Sequence, residues 1–153
     1  MLDSSTDLKS MLSDPSLLQT RAFINNQWVD AENEATFDVK NPARGDVIAQ
    51  VADLTRTDLA RAISGAEIAQ KKWAAISAKE RSNILRAWYN LMMENQADLA
   101  KILTAEMGKP LAESMGEIAY GSSFVEFFAE EAKRNYGETI PGHQADKRIT
   151  VIK

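Results

Sequence analysis

Between Thr55 and Tyr136 apolar residues return at every third or fourth position, the spacing that a helix turns into one continuous face. Leu59, Ile63, Ala66, Ala69 and Trp73 mark such a face on a first helix, where burial is expected. Ser77-Ala78-Lys79-Glu80 has the pattern of a capping box, and the helix that it opens groups Ile84, Leu85, Trp88, Leu91 and Met92 on one side. A third helix, with Leu99, Ile102 and Leu103 inward, should stop at Gly108, a residue suited to the left-handed cap. Pro110 fits the first turn of a fourth helix. That helix is expected to run through Met115, Ile118, Val125 and Phe128 to Tyr136 and to close at Gly137.

Short strands flank this helical stretch. Phe23-Ile24 and Trp28-Val29 read as two strands about Asn25-Asn26, since Asn tolerates the positive φ of a tight hairpin turn. Phe37-Asp38-Val39 and Val47-Ile48-Ala49-Gln50-Val51 continue the strand-rich region, with Asn41-Pro42 and Arg44-Gly45-Asp46 as turns. Before them, Asp3 to Ser16 reads as a loose arm or short helix, with Pro15 as a first-turn residue. After the helices, Arg148 to Ile152 reads as a strand in which the chain ends, so Lys153 is expected to be a truncation point.

Composition removes several classes of function. The chain has 153 residues, 44% of them hydrophobic, enough to build a core. A net charge of −4 offers no basic excess for phosphate backbones or anionic lipid, so neither nucleic acid nor a membrane is an expected partner. No cysteine is present, which excludes disulfides, thiolate metal sites and a cysteine nucleophile within these residues. His143 is the single histidine and cannot form a cluster. No apolar run approaches the roughly 18 residues of a membrane span, and the start lacks a secretory pattern, so a cytoplasmic location is expected. There is no glycine loop for phosphate, no zinc-spaced pair and no serine–histidine arrangement. On residues alone the chain reads as a soluble, helix-rich domain with strands at both ends.

Ordered phrases add a resemblance. Phe23-Ile24-Asn25-Asn26-Gln27-Trp28-Val29, Asn41-Pro42-Ala43-Arg44-Gly45-Asp46-Val47-Ile48 and Glu106-Met107-Gly108-Lys109-Pro110-Leu111 resemble successive amino-terminal signatures of aldehyde dehydrogenases. The run from Glu117 to Glu131 continues the likeness, and Gly137-Glu138-Thr139-Ile140-Pro141-Gly142-His143 through Arg148 is similar to the succinate-semialdehyde branch. The likeness covers roughly residues 20 to 153 but only an early portion of the family's length. It implies an α/β parent with a Rossmann-like cofactor domain, a catalytic domain and a strand extension for assembly.

The resemblance further implies an oxidoreductase in which a cysteine thiolate attacks the aldehyde, hydride passes to NAD or NADP, and glutamate-activated water releases the acid. An asparagine side chain and a backbone amide would hold the oxyanion. By the same resemblance these groups and the cofactor loop lie beyond Lys153, so no catalytic or cofactor-binding residue is assigned and residues 1–153 alone are expected to be inactive. Residues 1–20 would be an arm, 21–136 the amino-terminal part of the NAD(P)-binding domain, and 137–153 the start of an oligomerisation extension that pairs subunits as a dimer or tetramer. The parent's substrate would be succinate semialdehyde. Two rivals are a non-catalytic helical assembly or binding module, and a dehydrogenase of another short aldehyde such as an aminoaldehyde or glutarate semialdehyde.

Within the chain, Tyr120 and Phe124 stand four apart on one helix face, at positions that in relatives face the aldehyde tunnel. Either they form an aromatic wall that sizes the substrate or they are ordinary core aromatics. Glu106 near Val39 and Lys40 resembles a monovalent-cation site of some relatives, against the plainer reading of a surface carboxylate. No metal site is assigned. Gly108-Lys109-Pro110 reads as a helix stop, a solvated lysine and a helix start. His143 is expected to be exposed, and Glu126, Glu130 and Glu131 to form a solvated face, with Glu130 and Arg134 at favourable spacing.

Overall fold

The computed structural model describes residues 8–153. The portion of the expected arm before Leu8 lies outside the described residues. Leu8–Met11 and Pro15–Leu17 are short 3-10 turns. Among the described residues six strands follow in three antiparallel pairs, with four helices between the second pair and the third.

Strands β1 (Ala22–Ile24) and β2 (Gln27–Val29) pair with Phe23 opposite Trp28. Asn25 and Asn26 have φ of 52° and 65°, which gives the two left-handed residues that such a turn demands. Strands β3 (Thr36–Lys40) and β4 (Val47–Ala52) pair with a register shift between Val39 and Lys40. Their turn is held by Asn41, whose Oδ1 accepts the Ala43 and Arg44 amides at 2.9 and 3.2 Å.

Helix α1 (Arg56–Ala75) opens at Thr55 with a capping box to Asp58. Helix α2 (Ala78–Glu94) opens at Ser77 with the box to Glu80 that the sequence indicated. Asn95 joins it directly to α3 (Gln96–Met107), which ends where expected, at Gly108 with φ 76°. Helix α4 (Leu111–Glu131) follows, with Pro110 as its cap rather than a member of its first turn. The most extensive helix packing is of α4 on α2 and then on α3. Small residues make those contacts close: Ala100, Ser114, Ser122 and Ala129 are fully buried.

Several expectations about the helices need correction. The α1 stripe is open, with Leu59, Ile63 and Trp73 exposed by 56%, 60% and 38%, because no other helix lies along it. On α2 the sheltered side is Ser82, Leu85, Tyr89 and Met92, while Ile84, Trp88 and Leu91 face outward. On α4 Met115, Ile118 and Val125 are half-buried as expected, but Phe128 is exposed.

Helix α4 also stops at Glu131, short of Tyr136. Gly137 is not its cap. It precedes β5 (Glu138–Pro141), which pairs with β6 (Arg148–Val151), the strand expected from Arg148. A Cβ on Gly137 would stand 2.3 Å from the Val151 carbonyl oxygen, so that glycine permits a close backbone approach. Strand β6 ends at Val151, leaving Ile152 and Lys153 outside it.

Candidate functional site

Helix α4 presents an aromatic ledge. With its small residues turned toward α2 and α3, the helical period puts Tyr120, Phe124 and Phe127 on the opposite side. The Tyr120 and Phe124 rings meet edge to face at 4.9 Å, with an interplanar angle of 76°. They are exposed by 65% and 48%, so within the described residues they are not core. Phe127 and Phe128 extend the ledge with ring centroids 5.3 Å apart. The arrangement can cover an apolar passage or guide an alkyl chain, but it holds no nucleophile.

The helix under the ledge is fixed by polar contacts. Near its start Thr104 Oγ1 donates to Ser114 Oγ at 2.8 Å, and Gln96 Nε2 donates to the Met115 carbonyl at 2.9 Å. Toward its end Arg86 of α2 reaches across to two carboxylates. Its Nη1 donates to Glu126 Oε1 at 2.6 Å and its Nη2 to Glu130 Oε1 at 2.8 Å. The guanidinium also lies 5.3 Å from the centre of the Tyr89 ring. Glu126 raises the Arg86 pKa further, with Glu130 adding to it. Hydrogen bonding from Lys133, then from Arg86, lowers the Glu130 carboxyl to about 2.

These carboxylates are therefore a half-buried clasp and not a solvated face. Arg134 pairs with Glu131, while Glu130 takes Lys133 and Arg86 instead of the expected Arg134.

Other singled-out residues stay apart from the ledge. Glu106 is exposed at the last turn of α3, and among the described residues no group of three or more metal-ligating side chains gathers anywhere. Lys109 is not free in solvent but pairs with Glu117 in the second turn of α4. His143 is exposed in the β5–β6 loop.

Two buried carboxylates escaped the sequence reading. Asp58 accepts from the Thr55 amide at 2.9 Å, from the Thr55 hydroxyl at 2.9 Å, from the Glu32 amide at 3.2 Å and from Arg61 Nη2 at 2.7 Å. The Thr55 amide is the main reason its pKa is lowered. Thr55-x-x-Asp58 was a legible cap signal, whereas the bond to Glu32 was not. Asp98 of α3 accepts from Lys101 and from the Asp14 amide, both at 2.8 Å, and Lys101 also donates to the Met11 carbonyl. Lys101 is the main cause of its lowered pKa. Together with buried Leu8 and Leu12, it seats the 3-10 turns on α3.

The α1 and α2 openings are already occupied by the carboxylates of Asp58 and Glu80, and positive-φ Gly45 and Gly108 sit in a hairpin turn and at a helix end. Among the described residues no helix is long and apolar enough to cross a membrane.

Residues 28–153 match the aldehyde dehydrogenase family. The chain is 56% identical over 142 residues to a glutarate-semialdehyde dehydrogenase of Pseudomonas putida, which covers 93% of this chain and 30% of that protein. It is 54% identical, over the same shares, to an NADP-dependent succinate-semialdehyde dehydrogenase of Escherichia coli. A crystal structure of an NADP-dependent enzyme from E. coli superposes with a TM-score of 0.88 at 54% identity, over 92% of this chain and 29% of that one. The chain thus spans about 30% of the length of the curated relatives it matches.

Proposed function

The chain belongs to the aldehyde dehydrogenase family, and on that premise we propose that it is the amino-terminal portion of an NAD(P)-dependent enzyme oxidising succinate semialdehyde to succinate. The observation that carries the reading is 54% identity, sustained over 142 residues, to a relative named for that substrate. Glutarate semialdehyde is the second reading, favoured by a relative at 56% identity. The two aldehydes share a terminal carboxylate and differ by one methylene. The substrate class is therefore a short aldehyde with an anionic tail.

In this reading residues 21–136 belong to the cofactor-binding domain, and the open faces of α1, α2 and α4 pack against its remainder. Residues 137–153 begin the extension through which subunits pair as a dimer or tetramer. The exposed β5–β6 pair supports this, since an open strand edge offers backbone donors and acceptors to a neighbour.

Tyr120 and Phe124 line the passage by which the aldehyde arrives. Their edge-to-face pair would exclude water and limit the length of the alkyl chain. The chain has no cysteine to form a thiohemiacetal, so it contributes shape and support to the reaction and no nucleophile. In this reading NAD or NADP is held elsewhere in the enzyme.

The test replaces the matching segment of the E. coli relative with this chain and compares turnover of succinate and glutarate semialdehydes. Activity on both is expected. Tyr120→Ala and Phe124→Ala should each change the ratio of kcat/KM between the two aldehydes by about tenfold, the scale of one methylene in an apolar pocket. Variants that melt far earlier yet keep the parental ratio would remove the two residues from the passage.

A further inference from the structure

We infer that Arg86 is a positioning residue for aldehyde selectivity, acting through α4 and not by touching the substrate; the inference rests on the proposed role of Tyr120 and Phe124.

Ala100, Ser114, Ser122 and Ala129 are small and fully buried, so α4 lies close to its neighbours along that line. Close approach brings strong dispersion contact, but small side chains leave few knobs to resist sliding or rotation. Register must come from other contacts. At the start of α4 the Thr104–Ser114 and Gln96–Met115 hydrogen bonds supply it. Toward the other end, Arg86 is the interhelical clasp.

The clasp has the geometry needed to fix both coordinates of the helix. Glu126 and Glu130 are one turn apart, and the two terminal nitrogens of one planar guanidinium engage one each. Sliding α4 along its axis moves both carboxylates past the fork. Rotation swings both away from α2. Either motion carries Tyr120 and Phe124 with it, because they share the rigid helix between the two sets of pins. Charged neighbours reinforce the clasp: Lys133 holds the second oxygen of Glu130 at 2.8 Å. Arg86, by contrast, lies on the α2 side of α4, away from the ledge, so it can influence the aldehyde only through the helix.

Lysine at this position keeps the charge but is a single point donor on a flexible stem, and it cannot hold two carboxylates in a fixed plane. Arg86→Lys therefore isolates geometry from charge. In the dehydrogenase carrying this segment, Arg86→Lys should shift the succinate-to-glutarate semialdehyde ratio of kcat/KM by about threefold to tenfold, less than direct loss of a pocket wall. The change should fall mainly in KM, with kcat for the better substrate held within about twofold. Glu126→Gln, which weakens one arm of the fork, should move the ratio in the same direction by a smaller factor.

An unchanged ratio in Arg86→Lys, with the protein folded by circular dichroism, overturns the inference. Tyr120→Ala, measured beside it, separates the two ideas. If Tyr120→Ala moves the ratio and Arg86→Lys does not, the passage reading stands and the positioning role fails. If neither moves it, both fail. A parallel fall in kcat for both aldehydes with no change in ratio would also overturn the inference, since that is what general loosening of the fold produces.

Discussion

Helices α1 and α4 are nearly equal in length, 20 and 21 residues, and they are held in opposite ways. Helix α4 is pinned by side-chain hydrogen bonds near both ends and lies close to two other helices through small buried residues. Helix α1 is fixed in its first half, by Asp58 and by the β1–β2 turn, whose Asn25 Oδ1 occupies the space that a Cβ on Gly65 would need. Beyond that point Ile68 and Trp73 stand in the open. Apolar periodicity therefore identifies a helix and its face, while polar clasps and residue size decide which helix this chain itself holds rigid. A ledge proposed to face the substrate belongs on the rigid one.

The sharpest way to break the contrast is to overfill the α4 contact. Ala129→Leu inserts a large side chain where there is no space and should cost about 1–3 kcal/mol, read by chemical unfolding. The same change at exposed Ala69 on α1 should stay within about 0.5 kcal/mol. Equal effects at the two sites would erase the distinction between the helices.

Next in size is the anchor of α1. Asp58→Ala removes the cap and leaves the Glu32 and Thr55 amides without their acceptor. Amide exchange over α1 should accelerate by about tenfold or more, with α3 and α4 unaffected, because local opening can be confined to one unit. Acceleration spread evenly over all four helices would show that α1 is not separately anchored.

Why these features differ in legibility follows from their range. The Asn25-Asn26 turn, the Ser77–Glu80 box and the Gly108 stop each depend on residues within one turn of themselves, and all three stand as read. The end of α4 does not. Lys133 and Arg134 suit a helix terminus, yet α4 ends at Glu131, and Gly137 approaches Val151 in a contact across the hairpin that no local pattern announces.

The clasp was hidden for the same reason. Glu126 and Glu130 look like a solvated face until Arg86, 40 and 44 residues earlier, is brought opposite them. The paired aromatics Tyr120 and Phe124 could be placed on one face from their spacing, but whether anything in the chain covered that face could not be read from periodicity.

A smaller effect follows from the clasp's titration. The Glu130 pKa is lowered to about 2 from an ordinary 4.5, so the folded state favours the ionised form. Its contribution is present above the unfolded value and is lost as pH falls from about 4.5 through about 2. Stability measured across that window should decline less steeply in Glu130→Gln, and solvent screening keeps the difference modest. An identical slope would mean that the clasp carries no linkage. Smallest of all, Ile68→Ala should barely alter stability of this chain by itself, since a side chain exposed by 62% has little to lose.

The central proposal is a division of labour: this segment would shape and support the passage, and the nucleophile and cofactor would come from other residues of the dehydrogenase. Reduced-cofactor formation with succinate semialdehyde tests that division most directly, measured for the 153-residue chain alone and for the same chain joined to the remainder of the E. coli relative. The account predicts no turnover above blank from the chain alone with either NAD or NADP, and clear turnover from the joined protein. Cofactor reduction by the chain alone, or a folded joined protein that oxidises neither succinate nor glutarate semialdehyde, would contradict it.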